Sequence, residues 1–65
     1  MVSTEISLST GDRYRVQGEL KTVERTILDA ARGSIMELAW LVDADSGEQL
    51  AVNPDHVVFL RAVVS

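Results

Sequence analysis

Residues 19–33 read ELKTVERTILDAARG, and this stretch decides the fold class because the spacing of apolar residues changes here. Leu20, Val23 and Ile27 are separated by three and then four positions, which is the period of one face of an α-helix. Two alanines at 30 and 31 continue the stripe, and arginine at 32 with glycine at 33 suits a helix C-terminus. The stretch therefore predicts an amphipathic helix over Glu19–Arg32.

Upstream of the helix, apolar and polar residues alternate in two short runs. Ile6 and Leu8 alternate with serines over 5–9, and Tyr14 and Val16 alternate with polar residues over 13–17. A period of two is typical of a half-buried β-strand. The residues between the runs, STGD at 9–12, are turn formers, so the segment predicts a β-hairpin.

Three further apolar segments follow the helix. They cover residues 35–43, 49–52 and 57–64, and turn formers separate them: DADSG at 43–47 and NPD at 53–55. The predicted order is β-β-α-β-β-β. We expect a single α+β domain over residues 1–65, with one amphipathic helix on one face of a mostly antiparallel sheet of about five strands.

The third and the last strand are apolar on both faces, whereas the first hairpin has one polar face. Because a single helix covers only one face of a sheet, the other face of a monomer should be polar. We therefore expect an apolar patch that the helix does not cover. It lies either on the Ala39 side of the third strand together with the last strand, or around Trp40. Such patches usually mark interaction surfaces. The predicted interface residues are Ile35, Ala39, Trp40, Leu41, Val57, Phe59 and Val63.

Two arrangements would bury these side chains. One is a symmetric homodimer through the uncovered sheet face or through the edge of the last strand; the other is a sheet that curls into one small barrel. A domain of 65 residues buries only about 60% of its unfolded surface, and without cysteine it forms neither disulfides nor Cys-based zinc sites. We expect a non-enzymatic interaction module that self-associates, and a dimer is the favoured assembly. Another protein is the second kind of partner that we consider.

The composition and the length of the apolar runs also predict where in the cell the protein is located. The chain is 46% hydrophobic and 25% charged, which is ordinary for a folded protein. No apolar run approaches the roughly 18 residues that span a bilayer, and residues 1–10 lack the basic start and apolar stretch of a signal peptide. We expect a complete cytoplasmic protein without a membrane partner.

Few residues of the chain have side chains in a pattern that suits catalysis or metal binding. His56 is the only histidine, and with Asp55 it could act as a general base in a small hydrolase, which is the last of the functional hypotheses. Asp43, Asp45 and Glu48 are the densest carboxylates, but the glycine of this loop is fifth, whereas a calcium-binding EF-hand needs it sixth. We predict no catalytic residue, no cofactor and no metal site.

Arg13 and Arg15 project from the same face of the second predicted strand, with Tyr14 on the other. Such a face could contact phosphate, and a regulatory protein that binds nucleic acid through it is the alternative hypothesis. The chain has ten acidic and six basic residues, whereas nucleic-acid-binding domains usually carry a basic excess. The more economical interpretation is that the two arginines form a solvated face, and that their charges also hinder the pairing of an edge strand with another chain.

Two segments resemble known proteins. VERTILDAA at 23–31 and DSGEQLAVNPDHVVFL at 45–60 are similar to segments of small uncharacterised actinobacterial proteins. Those proteins have a β-hairpin, one amphipathic helix, a strand, a polar turn and a closing strand. They have no established activity, so the resemblance implies a fold and no catalytic residue.

Overall fold

The computed structural model describes residues 2–33 and 37–64. In chain order the elements are strand β1 (Val2–Leu8), strand β2 (Arg13–Gln17), helix α1 (Leu20–Arg32), strand β3 (Ala39–Val42), strand β4 (Gln49–Val52), a 3₁₀ turn (Pro54–His56) and strand β5 (Val57–Val64). The predicted α+β class, element order and antiparallel pairing are confirmed. β4 and β5 have their predicted bounds, β1 begins earlier at Val2, and β3 is shorter than the predicted 35–43.

The five strands form two antiparallel sheets, whereas a single sheet was expected. One sheet has the order β2-β1-β5, and the other pairs β3 with β4. The two sheets meet at one point, where Val16 bridges Asp43 and the N–H of Ala44 donates to the carbonyl of Arg15 over 2.8 Å. Because β3 and β2 share only this bridge, the strands do not form one continuous five-stranded sheet.

Helix α1 packs its predicted stripe into the core through Val23, Ile27 and Ala30. Glu19 precedes the helix as its N-cap residue without a capping hydrogen bond from its side chain. Gly18 has φ of +113°, a conformation that side chains disfavour, and this residue turns the chain from β2 into the helix.

One continuous core lies between α1 and the concave faces of both sheets. It is formed by Ile6, Val16, Val23, Ile27, Ala30, Ala39, Leu41 and Val52. Two predicted interface residues, Ala39 and Leu41, are thus buried under the helix, which corrects the expectation that they belong to a leftover patch. The opposite side of β3 faces outward instead, and Trp40 is 61% exposed.

Strand β1 buries two hydroxyl groups that differ in their partners. Thr4 is fully buried and donates a 3.0 Å hydrogen bond from Oγ1 to the carbonyl of Gly18. Ser7 is 7% exposed, and its Oγ has no hydrogen-bond partner among the described residues. A buried polar group costs free energy when it is unpaired, so the two hydroxyls should affect stability in opposite directions.

We predict that Thr4→Val lowers the free energy of unfolding by about 1 kcal/mol or more, because the carbonyl of Gly18 loses its donor. Ser7→Ala should leave the free energy of unfolding unchanged or raise it, because no hydrogen bond is lost. Urea denaturation followed by circular dichroism measures both. An equal loss of stability in the two variants would contradict the hydrogen-bond assignment.

Candidate functional site

Strand β5 forms an edge of the three-stranded sheet. One side of its backbone pairs with β1 from Val2↔Val64 to Leu8↔Val57, and no strand in residues 2–33 or 37–64 pairs with the other side. The strand has the sequence VVFLRAVV, with one charged residue and no proline. A long apolar edge with unpaired backbone N–H and C=O groups is a template for pairing with another strand.

A β-bulge increases the apolar exposure of this edge. The register between β1 and β5 shifts between Ser7 and Leu8, which pair with Phe59 and Val57, so that Val58 is the additional residue. A bulge leaves its extra residue outside the regular ladder. Val58 is accordingly 65% exposed and Phe59 41% exposed.

The convex face of the three-stranded sheet, which points away from α1, is polar at its centre. Ser7 and Glu5 of β1 lie there opposite Phe59 and Arg61 of β5. Nη2 of Arg61 contacts Oε1 of Glu5 at 2.7 Å, so the one charge of β5 is already paired within the chain. On this sheet Val58 and Phe59 of β5 are exposed, and so are Val2 of β1 and Tyr14 of β2.

The predicted interface residues do not form one patch. Phe59 is exposed at the β5 edge, Val63 is half-buried on the same strand, and Val57 is half-buried against the core. Trp40 is exposed on the other sheet, and Ile35 lies outside the described residues. The structure thus separates an exposed β5 edge from an exposed tryptophan on β3.

The two arginines of β2 do not form a free cationic face. Arg13 and Arg15 are both exposed on the convex side of the sheet, as the strand alternation predicts. Nη2 of Arg15 contacts Oδ1 of Asp45 at 2.6 Å, which neutralises its charge locally. This pairing gives the nucleic-acid hypothesis no geometric support.

The structure brings His56 beside Ser9, and sequence reasoning missed this contact. Oγ of Ser9 lies 3.0 Å from Nδ1 of His56, and the N–H of Ser9 donates to the carbonyl of His56 over 2.7 Å. Asp55, the expected partner, is not hydrogen-bonded to His56 within the described ranges; its N–H donates to the side chain of Asn53. Elements far apart in sequence meet here, and the alternation of residues within a strand gives no signal for such a pair.

In the acidic loop between β3 and β4, the carboxylate of Asp43 stabilises the turn of the loop itself. Oδ1 of Asp43 accepts hydrogen bonds from the N–H groups of Asp45 and Ser46 at 2.8 and 2.9 Å. The backbone N–H of Ser46 and then that of Asp45 hold the pKa of the Asp43 carboxyl below its ordinary value of 3.8. No cluster of three His, Cys, Asp or Glu side chains that could hold a metal occurs in the part of the chain that the structure describes.

Comparison of the chain with protein-family models, with curated proteins and with solved structures gave no match. Helix α1 is too short to cross a membrane, and none of the helices in the described ranges is long and apolar enough to do so.

We predict that the turn at Asp43 contributes stability that depends on pH. Since its pKa is lowered on folding, the contribution is present above the unfolded value of 3.8 and is lost as the pH falls through the folded value. Asp43→Ala should therefore be less stable than the parent at neutral pH, and this difference should shrink below pH 3.8. Chemical denaturation across a pH series measures it; a difference that is constant with pH would contradict the cause assigned here.

Proposed function

We propose that this protein is a non-enzymatic, cytoplasmic interaction module that self-associates by pairing β5 with β5 of a second copy. The observation that carries the proposal is the long apolar edge of β5, with exposed Val58 and Phe59 beside unpaired backbone. An antiparallel pair about a two-fold axis would join two three-stranded sheets into one sheet of six strands. The same surface is used on both chains, so the assembly closes as a dimer.

Two features favour β5 over the other exposed apolar sites. β5 has eight residues, whereas β4 and β3 have four each and offer a shorter ladder. The one charge on β5, at Arg61, is already paired with Glu5 on the convex face, so strand pairing leaves no unpaired charge buried.

A dimer would need to cover only a small part of the exposed surface. A folded monomer of 7.1 kDa is expected to expose about 4,100 Å², and this chain exposes 4572 Å². A dimer of ordinary stability buries about 800 Å² on each partner, which is under a fifth of the surface of this chain.

The geometry of a two-fold axis restricts the register. The axis of an antiparallel pair is normal to the sheet, so both convex faces lie on the same side and opposed residues must share a face. Phe59 and Arg61 lie on the convex face, and Leu60 lies on the concave face. An axis at Leu60 therefore places Phe59 opposite the partner's Arg61. The regular ladder covers the five residues 58–62 of each strand, because the bulge turns Val57 to the concave face whereas Val63 lies on the convex face.

The neighbouring registers are less favourable. An axis at Arg61 places the two arginines directly opposite each other, and like charges in that position are destabilising. An axis at Phe59 shortens the regular ladder to about three residues, because the bulge ends it at Val58. The register at Leu60 instead sets each Arg61 beside an aromatic ring, a cation–π contact worth about 0.5–1 kcal/mol.

We predict that the parent protein has twice the 7.1 kDa chain mass by multi-angle light scattering, falling toward the monomer on dilution. Phe59→Lys should weaken the dimer about tenfold, because it removes the ring that contacts the partner's Arg61 and sets a second cation opposite that arginine. Sedimentation equilibrium measures the dissociation constant.

Trp40→Lys is the matched control, because it removes a more exposed aromatic side chain from the other sheet and adds the same charge. It should leave the dissociation constant unchanged. A parent that remains monomeric at every concentration, or a dimer that Trp40→Lys disrupts and Phe59→Lys does not, would contradict pairing through β5.

The chain has no cysteine, so single cysteines can report the register. We predict that Leu60→Cys forms an intermolecular disulfide under oxidised glutathione, because residue 60 lies opposite itself, within disulfide reach. Ala62→Cys alone should not cross-link, since it lies opposite Val58. Non-reducing electrophoresis and mass spectrometry of the parent and variants measure the product.

The double variant Val58→Cys with Ala62→Cys tests the same register away from the core, in case Leu60→Cys folds poorly. It should also cross-link between the two chains. A dimer by light scattering in which neither variant cross-links would refute the register while leaving strand pairing in place.

A further inference from the structure

A second surface feature lies away from the β5 edge. A cleft of about 340 Å³ opens between the turn that joins β1 to β2 and the segment from β4 to the 3₁₀ turn, and no residue of β5 lines it. Its volume is within the range of about 300–1,000 Å³ that small-molecule sites occupy. Because the cleft is not lined by β5, a ligand bound there would not depend on the proposed self-association.

Hydrogen bonds hold both walls of the cleft. On one wall, the N–H of Leu8 donates to the carbonyl of Asp12 over 2.9 Å. On the other, the side chain of Asn53 accepts from the N–H of Asp55. The two contacts between Ser9 and His56 join the walls at one end. The cleft is thus built by the fold before any ligand is bound.

The lining combines an apolar floor with a polar rim. Leu8, Leu50 and Val52 form the floor and belong to the core or pack against it. Tyr14 stands on the β2 wall, 38% exposed, with Asp12 beside it at the rim. Apolar lining with a few placed polar groups is the usual composition of a small-molecule site.

Asp12 sets the sign of the charge that the cleft accepts. Its carboxylate is the one acidic side chain that lines the cleft within the described ranges, and Oδ2 accepts a hydrogen bond from the hydroxyl of Thr10 at 2.9 Å. Oδ1 has no hydrogen-bond donor, and Asp12 has no ion-pair partner within 4 Å, among residues 2–33 and 37–64. Among the residues that the structure describes, no lysine or arginine lines the cleft, and Nδ1 of the lining His56 lies against Oγ of Ser9.

We propose that this cleft binds a small organic ammonium compound with an aromatic body. The ammonium group pairs with the carboxylate of Asp12 and lies near the ring of Tyr14, which attracts cations through its π-face. The aromatic body packs on Leu50 and Val52. A small anion is disfavoured because Asp12 would repel it and the net charge of the chain is −4.

Three probes with the same aromatic body and different head groups test the proposal: 2-phenylethylammonium, 2-phenylethanol and 3-phenylpropanoate. Titration of the full-length protein is followed by backbone amide chemical shifts. The cation should shift the amides of residues 8–14 and 50–56 and bind about fivefold more tightly than the alcohol, the range of a partly exposed ion pair. The anion should bind more weakly than the alcohol.

Asp12→Asn should reduce the affinity of the cation to that of the alcohol and leave the alcohol unchanged. Asp55→Asn is the matched control, because Asp55 is exposed and near the cleft but does not line it, and it should change neither affinity. Equal affinity of the cation and the anion, shifts outside the two segments, or an equal effect of the two variants would overturn the proposal.

Discussion

The antiparallel pairing of the first strand with the last is the constraint on which the rest of this structure depends. It joins β1 to β5 along nearly their whole length and places β1 at the centre of the three-stranded sheet. Because β1 is occupied by β2 on one side and by β5 on the other, β5 becomes the edge. The same pairing brings the end of β1 to the 3₁₀ turn, where Ser9 meets His56 and closes one end of the cleft.

Much of the local structure could be predicted from the sequence because each element has its own period. The helix follows from the spacing of Leu20, Val23 and Ile27, and the bounds of β4 and β5 follow from the turn formers around them. The side of β3 that faces the core could not be predicted, because both sides are apolar. In the structure the small side chain of Ala39 is buried together with Ala30 of the helix, and the large ring of Trp40 is left outside.

Features that depend on register between distant segments gave no signal in the sequence. The bulge that exposes Val58 arises where β1 and β5 change register, and alternation along β5 alone predicts an unbroken strand. The pair of Ser9 and His56 joins residues that no local pattern connects. The division into two sheets likewise depends on a single bridge, between Val16 and Asp43. The edge of the last strand was among the interfaces predicted from the sequence, whereas its bulge and the candidate cleft depend on contacts between distant segments and needed the three-dimensional structure.

The charges on the convex face explain why an edge is the better surface for association than a face. The three-stranded sheet carries two ion pairs there, Arg61 with Glu5 and Arg15 with Asp45. Packing this face against another sheet would take both pairs out of water, and the desolvation of ion pairs commonly exceeds their mutual attraction. Pairing along β5 leaves them solvated and adds backbone hydrogen bonds to an existing ladder. The exposed apolar side chains at the edge then gain contacts, and no charge is buried. The free energy of association therefore comes from removing these apolar side chains from water.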